Sequence, residues 1–245
     1  MRPAFSVIFL TTLIGAGQGL FIALCVGELG AALGAWGMPA GPYFAIGSLL
    51  SLALLGAGLL ASFFHLGRPE RAWRSAAMWR TSWLSREVIV LPVFMAAVAA
   101  FGLAHHLRGA GDVTLALGAA GLTLALALFV CTGMIYACLP FLQEWHTPLT
   151  VINYTLFGCA SGFLLGTAWA AAVAPALLAA SALWTVAFTL AAMVTRAASL
   201  ARNARLRPKS TLQTAIGVKH PRIAQKSQGF MGGSFNTREF FHARP

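Results

Sequence analysis

Acidic residues are scarce in this chain: six Asp and Glu stand against seventeen Lys and Arg, and only 9% of the 245 residues are charged. With 58% hydrophobic residues and a mean hydropathy of +0.76, so little charge excludes an ordinary soluble domain, in which about 25% of residues are charged. Cysteine is scarce too. Cys25, Cys131, Cys138 and Cys159 form no CxxC pair, which excludes a ferredoxin-type cluster or a zinc knuckle. All four fall in apolar runs, where a thiol packs as a small hydrophobe. No two histidines lie within such runs at matching depth, as a haem would require. His65 ends the second run, His105 and His106 end the third at the other side, and His146 sits in a short loop; His65 with His146 is the one conceivable haem pair. The alternation of lumen-facing and lipid-facing residues is also missing, which sets aside a membrane β-barrel.

What is present is long apolar sequence. Six stretches, 5–33, 42–64, 88–106, 113–138, 149–172 and 175–196, can each cross a hydrocarbon core of ~30 Å, which takes ~20 helical residues. Gly, Ala and Leu dominate them, as they do where helices pack closely in lipid. The expected fold is all-α: a polytopic transmembrane bundle of about six helices over residues 1–205, followed by a non-helical basic tail, 206–245. The first stretch follows Met1-Arg2 like a signal peptide, but it is too long for one and ends in no clean small-residue cleavage site. It reads as a retained helix.

The basic residues are sorted to one side. With the amino terminus inside, sixteen of the seventeen Lys and Arg lie inside and Arg108 alone lies outside; the loop 66–86 contributes Arg68, Arg71, Arg74, Arg80 and Arg86. Positive-inside sorting predicts both termini in the cytoplasm. It also accounts for nearly all of the +11 net charge, so no nucleic-acid partner is inferred.

Ionisable residues in or beside a span are costly and mark functional candidates. Glu28 lies near the outer end of the first run, where snorkelling is easy, and Asp112 opens the fourth, where an acid suits the helix dipole. Glu144 sits in an inner loop. His65 and Glu87 differ, because a hairpin of the second and third helices brings them to one level at the inner surface, with Arg68 and Arg71 in the loop between. An imidazole, a carboxylate and guanidinium groups together can hydrogen-bond a quinone carbonyl and move the protons of a two-electron reduction. An inter-helix His–Glu pair with arginines meeting lipid phosphates explains the same residues.

The run Ser62-Phe63-Phe64-His65-Leu66-Gly67-Arg68-Pro69-Glu70-Arg71-Ala72-Trp73, followed by Ser82-Trp83-Leu84-Ser85-Arg86-Glu87, resembles the HLGxPxRA and S-x-E signature of the dimethyl sulfoxide reductase anchor-subunit family. The match covers about the first three helices. The resemblance implies a membrane anchor that exchanges electrons with quinone, ubiquinone or menaquinone. Its partners would be an iron-sulfur electron-transfer subunit and a molybdopterin catalytic subunit. It carries the quinone site onto His65 and Glu87 and a loop arginine onto Arg71, and it implies no resident haem or iron-sulfur cluster, no metal ligand and no catalytic residue in this chain. Anchors of that family commonly have eight helices, whereas six are placed here.

The tail is too polar for the membrane and too short and glycine-rich for its own core. A disordered basic tail is one reading. Docking on a partner is the other, favoured by Lys219, Phe230, Phe235, Phe240 and Phe241, with Arg74 and Arg80 of the loop facing the same partner. The ending is similar to that of anchors from cytoplasm-facing sulfite dehydrogenase complexes, which oxidise sulfite and pass electrons to quinone. An anchor of a sulfoxide-type reductase fed by quinol remains the alternative within the family, although there the HLG loop faces outward. Outside it stand a small proton-coupled transporter, with Glu28, Gly15, Gly17 and Gly19 along a permeation path, and a purely structural anchor.

Overall fold

The computed structural model describes residues 5–64, 66–207, 213, 214, 217 and 220. Six long helices account for most of them: α1 (Phe5–Ala32), α2 (Gly41–Phe63), α3 (Trp83–Arg108), α4 (Asp112–Ala137), α5 (Pro148–Val173) and α6 (Leu178–Asn203). Short 3-10 helices cover Pro69–Ala76 and Pro175–Leu177, and no strand occurs among the described residues. Such apolar chain has to form helices in lipid, because only a helix satisfies its backbone N–H and C=O groups internally. At ~1.5 Å per residue, 23 to 28 residues make rods of about 35–42 Å, enough to span the hydrocarbon core.

The helix starts follow local chemistry. Proline in the first turn of α2 and α5 gives up an N–H that has no partner there anyway, and the Thr147 hydroxyl caps α5. α3 begins at Trp83 rather than at 88, because the Ser82 hydroxyl accepts the Ser85 N–H at 3.3 Å and caps the helix. Glu87 therefore lies one turn inside α3 instead of at its opening.

α1 runs through the centre, packed by α2, α4 and α5, while α3 closes against α2 and α4. Phe21 of α1 meets Phe94 and Phe101 of α3 edge to face, with ring centroids 5.5 and 5.3 Å apart, and Phe129 is fully buried in the same core. α1 and α5 come close enough that only glycine fits: a methyl group at Gly19 would collide with the Gly158 carbonyl, and one at Gly162 with the Gly19 backbone. α6 packs chiefly on α5 and is the least buried helix. It is pinned there by Asn153, whose amide donates to Ser199 at 2.9 Å and accepts from Thr195 at 2.8 Å. Of the tail positions singled out above, Lys219, Phe230, Phe235, Phe240 and Phe241 lie outside the described residues.

Candidate functional site

Glu87 is buried, 8% exposed, and the Thr132 hydroxyl of α4 donates to its Oε1 at 2.5 Å. Such a contact satisfies one carboxyl oxygen in a place where water is excluded. Tyr136 and Cys131 of α4 and Tyr154 of α5 stand within electrostatic reach of the Glu87 carboxylate, and Tyr154 also bears on Thr132. The Tyr154 hydroxyl donates to the Thr11 carbonyl of α1 at 3.1 Å. One carboxyl, three hydroxyls and a thiol from three helices thus gather at a single level, with α1 as their backing.

The loop beside this cluster is ordered by Arg86. Its Nε donates to the Trp79 carbonyl at 2.9 Å and its Nη2 to the Arg80 carbonyl at 2.8 Å, while the guanidinium lies 4.3 Å over Trp83. Arg74 and Arg80 lie over Trp73 and Trp79 at 5.5 and 5.4 Å, forming an exposed rim of arginine and tryptophan. Arg71 is exposed and faces Glu70 at 3.8 Å instead of turning in, and Arg68 is exposed too. His65 lies outside the described residues; its neighbours Phe64 and Leu66 are exposed where α2 ends. His146 is occupied structurally, its Nδ1–H donating to the Ala137 carbonyl at 2.7 Å. Among the described residues no group of three or more His, Cys, Asp and Glu is placed to hold a metal ion.

Thr132, Tyr136 and Tyr154 had no signal in the sequence, since hydroxyl residues in apolar helices usually bond their own backbone. The opposite end of the bundle departs further from expectation. Glu28 does not snorkel: it is 1% exposed, 3.2 Å from His105 Nε2, and bonded to the Thr114 hydroxyl. Phe44 stacks on His105 at 4.3 Å and Phe101 meets it edge-on at 4.5 Å. Gly15 and Gly19 face α5, and Gly17 faces Leu55 and the Ser51 backbone of α2, so this stripe is filled by packing and forms no path.

A sulfite dehydrogenase subunit of Allochromatium vinosum is 58% identical to this chain over 255 aligned positions, which cover 100% of the chain and 78% of that protein. No solved structure matches. The family described as DMSO reductase anchor subunit (DmsC) matches residues 1–219, which takes in all six helices and the arginine-rich loop. Six apolar helices, the HLG loop and a match of that extent agree, and the chain belongs to the dimethyl sulfoxide reductase anchor-subunit family.

Proposed function

We propose that this chain is the quinone-reactive anchor of a molybdenum and iron-sulfur oxidoreductase that oxidises sulfite at the cytoplasmic face. The observation that supports it best is the buried Glu87, held by Thr132 with Tyr136 and Tyr154 in electrostatic reach, on the helix whose start carries the arginine and tryptophan rim. The name of the A. vinosum relative supplies the substrate. Oxidation of sulfite to sulfate in the catalytic subunit releases two electrons, which the iron-sulfur subunit delivers to quinone beside Glu87 and His65. The quinone takes up two protons with them. Glu87 supplies one to a quinone oxygen and His65 the other, both are recharged from the near aqueous face, and Thr132 keeps the Glu87 carboxyl aimed. The rim, with Arg74, Arg80, Arg68 and Arg71, and the tail from residue 206 dock the iron-sulfur subunit. Both termini lie on that cytoplasmic side of the inner membrane, a placement supported by the distribution of Lys and Arg.

The test is to isolate the complex intact from its native membrane, offer sulfite or a sulfoxide, and follow quinone. Sulfite should reduce quinone. Glu87→Gln and His65→Ala should cut quinone-linked turnover by roughly 100-fold or more, while sulfite oxidation with a soluble artificial acceptor stays normal. Unchanged quinone turnover in both assembled variants removes the site, and quinol-driven sulfoxide reduction without sulfite activity exchanges the substrate.

A further inference from the structure

The end of the bundle opposite the arginine-rich loop holds a second buried ionisable group that quinone chemistry does not use. The geometry points to Glu28, His105 and Thr114 forming a proton-binding site that exchanges with the aqueous phase at that end.

Its hydrogen bonds accommodate two protonation states. The Thr114 oxygen accepts the Gly111 N–H at 2.9 Å, and its single proton has two acceptors, Glu28 Oε1 and the Gly111 carbonyl at 2.8 Å. With Glu28 ionised, Thr114 donates to the carboxylate, and His105 faces it through Nε2, 3.2 Å away. When a proton is added to Glu28, the carboxyl donates to Thr114, which turns its own O–H to the Gly111 carbonyl, and the hydroxyl keeps a partner in both states. Among the described residues neither ring nitrogen of His105 has a hydrogen-bond partner, although Nε2 stands 3.2 Å from Glu28 Oε1.

The nearer aqueous phase is that of the α3–α4 turn. Thr114 is buried, and its backbone partner Gly111 is an exposed residue of that turn. Toward the other end, His105 and Glu87 stand 18 positions apart along α3, about 27 Å of helix. Phe21, Phe94, Phe101 and Phe129 fill that interval, and Gln18 within it gives its amide to the Ala125 carbonyl at 2.9 Å. Of the groups facing the pair, α1 adds Cys25, whose thiol donates to the Gly118 carbonyl at 3.7 Å. α2 adds Phe44, with neighbouring Tyr43 stacked on Trp169. His106, Arg108 and Asp112 are exposed at the same end.

The experiment is infrared difference spectroscopy on the whole complex in sealed vesicles, with pH stepped from about 8 to about 5 on one side at a time. Acidifying the side of the α3–α4 turn should raise a carboxylic-acid C=O band in the wild type that Glu28→Gln lacks entirely. Glu87→Gln should keep that band. Thr114→Val should lose it and Thr114→Ser should retain it, a comparison that stands even where Glu28→Gln fails to assemble. A wild-type spectrum indistinguishable from that of Glu28→Gln overturns the proposal. So does a band that follows only the arginine-rich side, one that vanishes in Glu87→Gln, or one unaffected by Thr114→Val.

Discussion

A single hydroxyl holds the buried Glu87 carboxyl in place. Thr132 donates to the carboxylate from the neighbouring helix, and hydrogen bonds to charged groups are worth about 1.5–3 kcal/mol. Thr132→Val keeps the volume and removes only the donor. Quinone-linked kcat should fall roughly ten- to a hundredfold with little change in KM, and Thr132→Ser should recover most of it. An equal loss in both variants, or a change confined to KM, would mean that Thr132 only packs. At this scale the sequence is legible where a residue carries charge and silent where it does not. Glu87 and His65 are conspicuous as ionisable groups beside apolar runs. Thr132, Tyr136 and Tyr154 are not, because nothing in a linear sequence tells which face of α4 or α5 turns toward Glu87. Glu28 departs from expectation for the same reason. Its depth near the end of α1 permits snorkelling, and only the approach of α3 and α4 encloses it.

Helix number and span follow from length and hydropathy, since lipid admits no other backbone solution for such a chain. Helix faces do not. In a soluble protein the polar stripe marks the outside, but α1 is apolar on all sides, so which residues meet another helix is set by shape alone. The glycines are that shape. Gly158, Gly162 and Gly166 of α5 recur every four residues and receive α1 at Gly15, Gly19 and Ala23. Gly162→Val should force the two helices apart at a cost of about 1–3 kcal/mol or more, reading out as lowered thermal stability of the detergent-solubilised complex. Gly56, which has nothing within 4 Å of an added methyl, should tolerate alanine, and equal stability of the two variants would mean that the seam is not as tight as described. The start of α3 has a sequence signal that is easily overlooked: Ser82 is a capping residue followed by good helix formers, but Arg86 and Glu87 interrupt the apolar run and hide the first turn.

For the molecule as a whole, the two ends differ in charge, and on the proposed function that difference bears on assembly. One end is a rim of Arg74, Arg80 and Arg86 stacked on tryptophans, and the sequence runs on from α6 at the same end into a tail that adds further Lys and Arg. Arg202 ties the end of α6 to the α4–α5 loop through two bonds of 3.1 Å to the Gln143 carbonyl, so the chain enters the tail from a fixed point at the same end as the rim. A partner held at both rim and tail gains effective concentration from the second contact, so that loss of either weakens binding far more than its own share of contacts suggests. Deleting 217–245 should therefore release the soluble subunits from washed membranes at moderate salt while the six helices stay inserted. Raising the salt should release them from the truncated chain well before the full-length one, because the remaining contact is the charged rim. Retention of both subunits on the truncated anchor at every salt concentration would assign the whole of docking to the rim and leave the tail without a share in assembly.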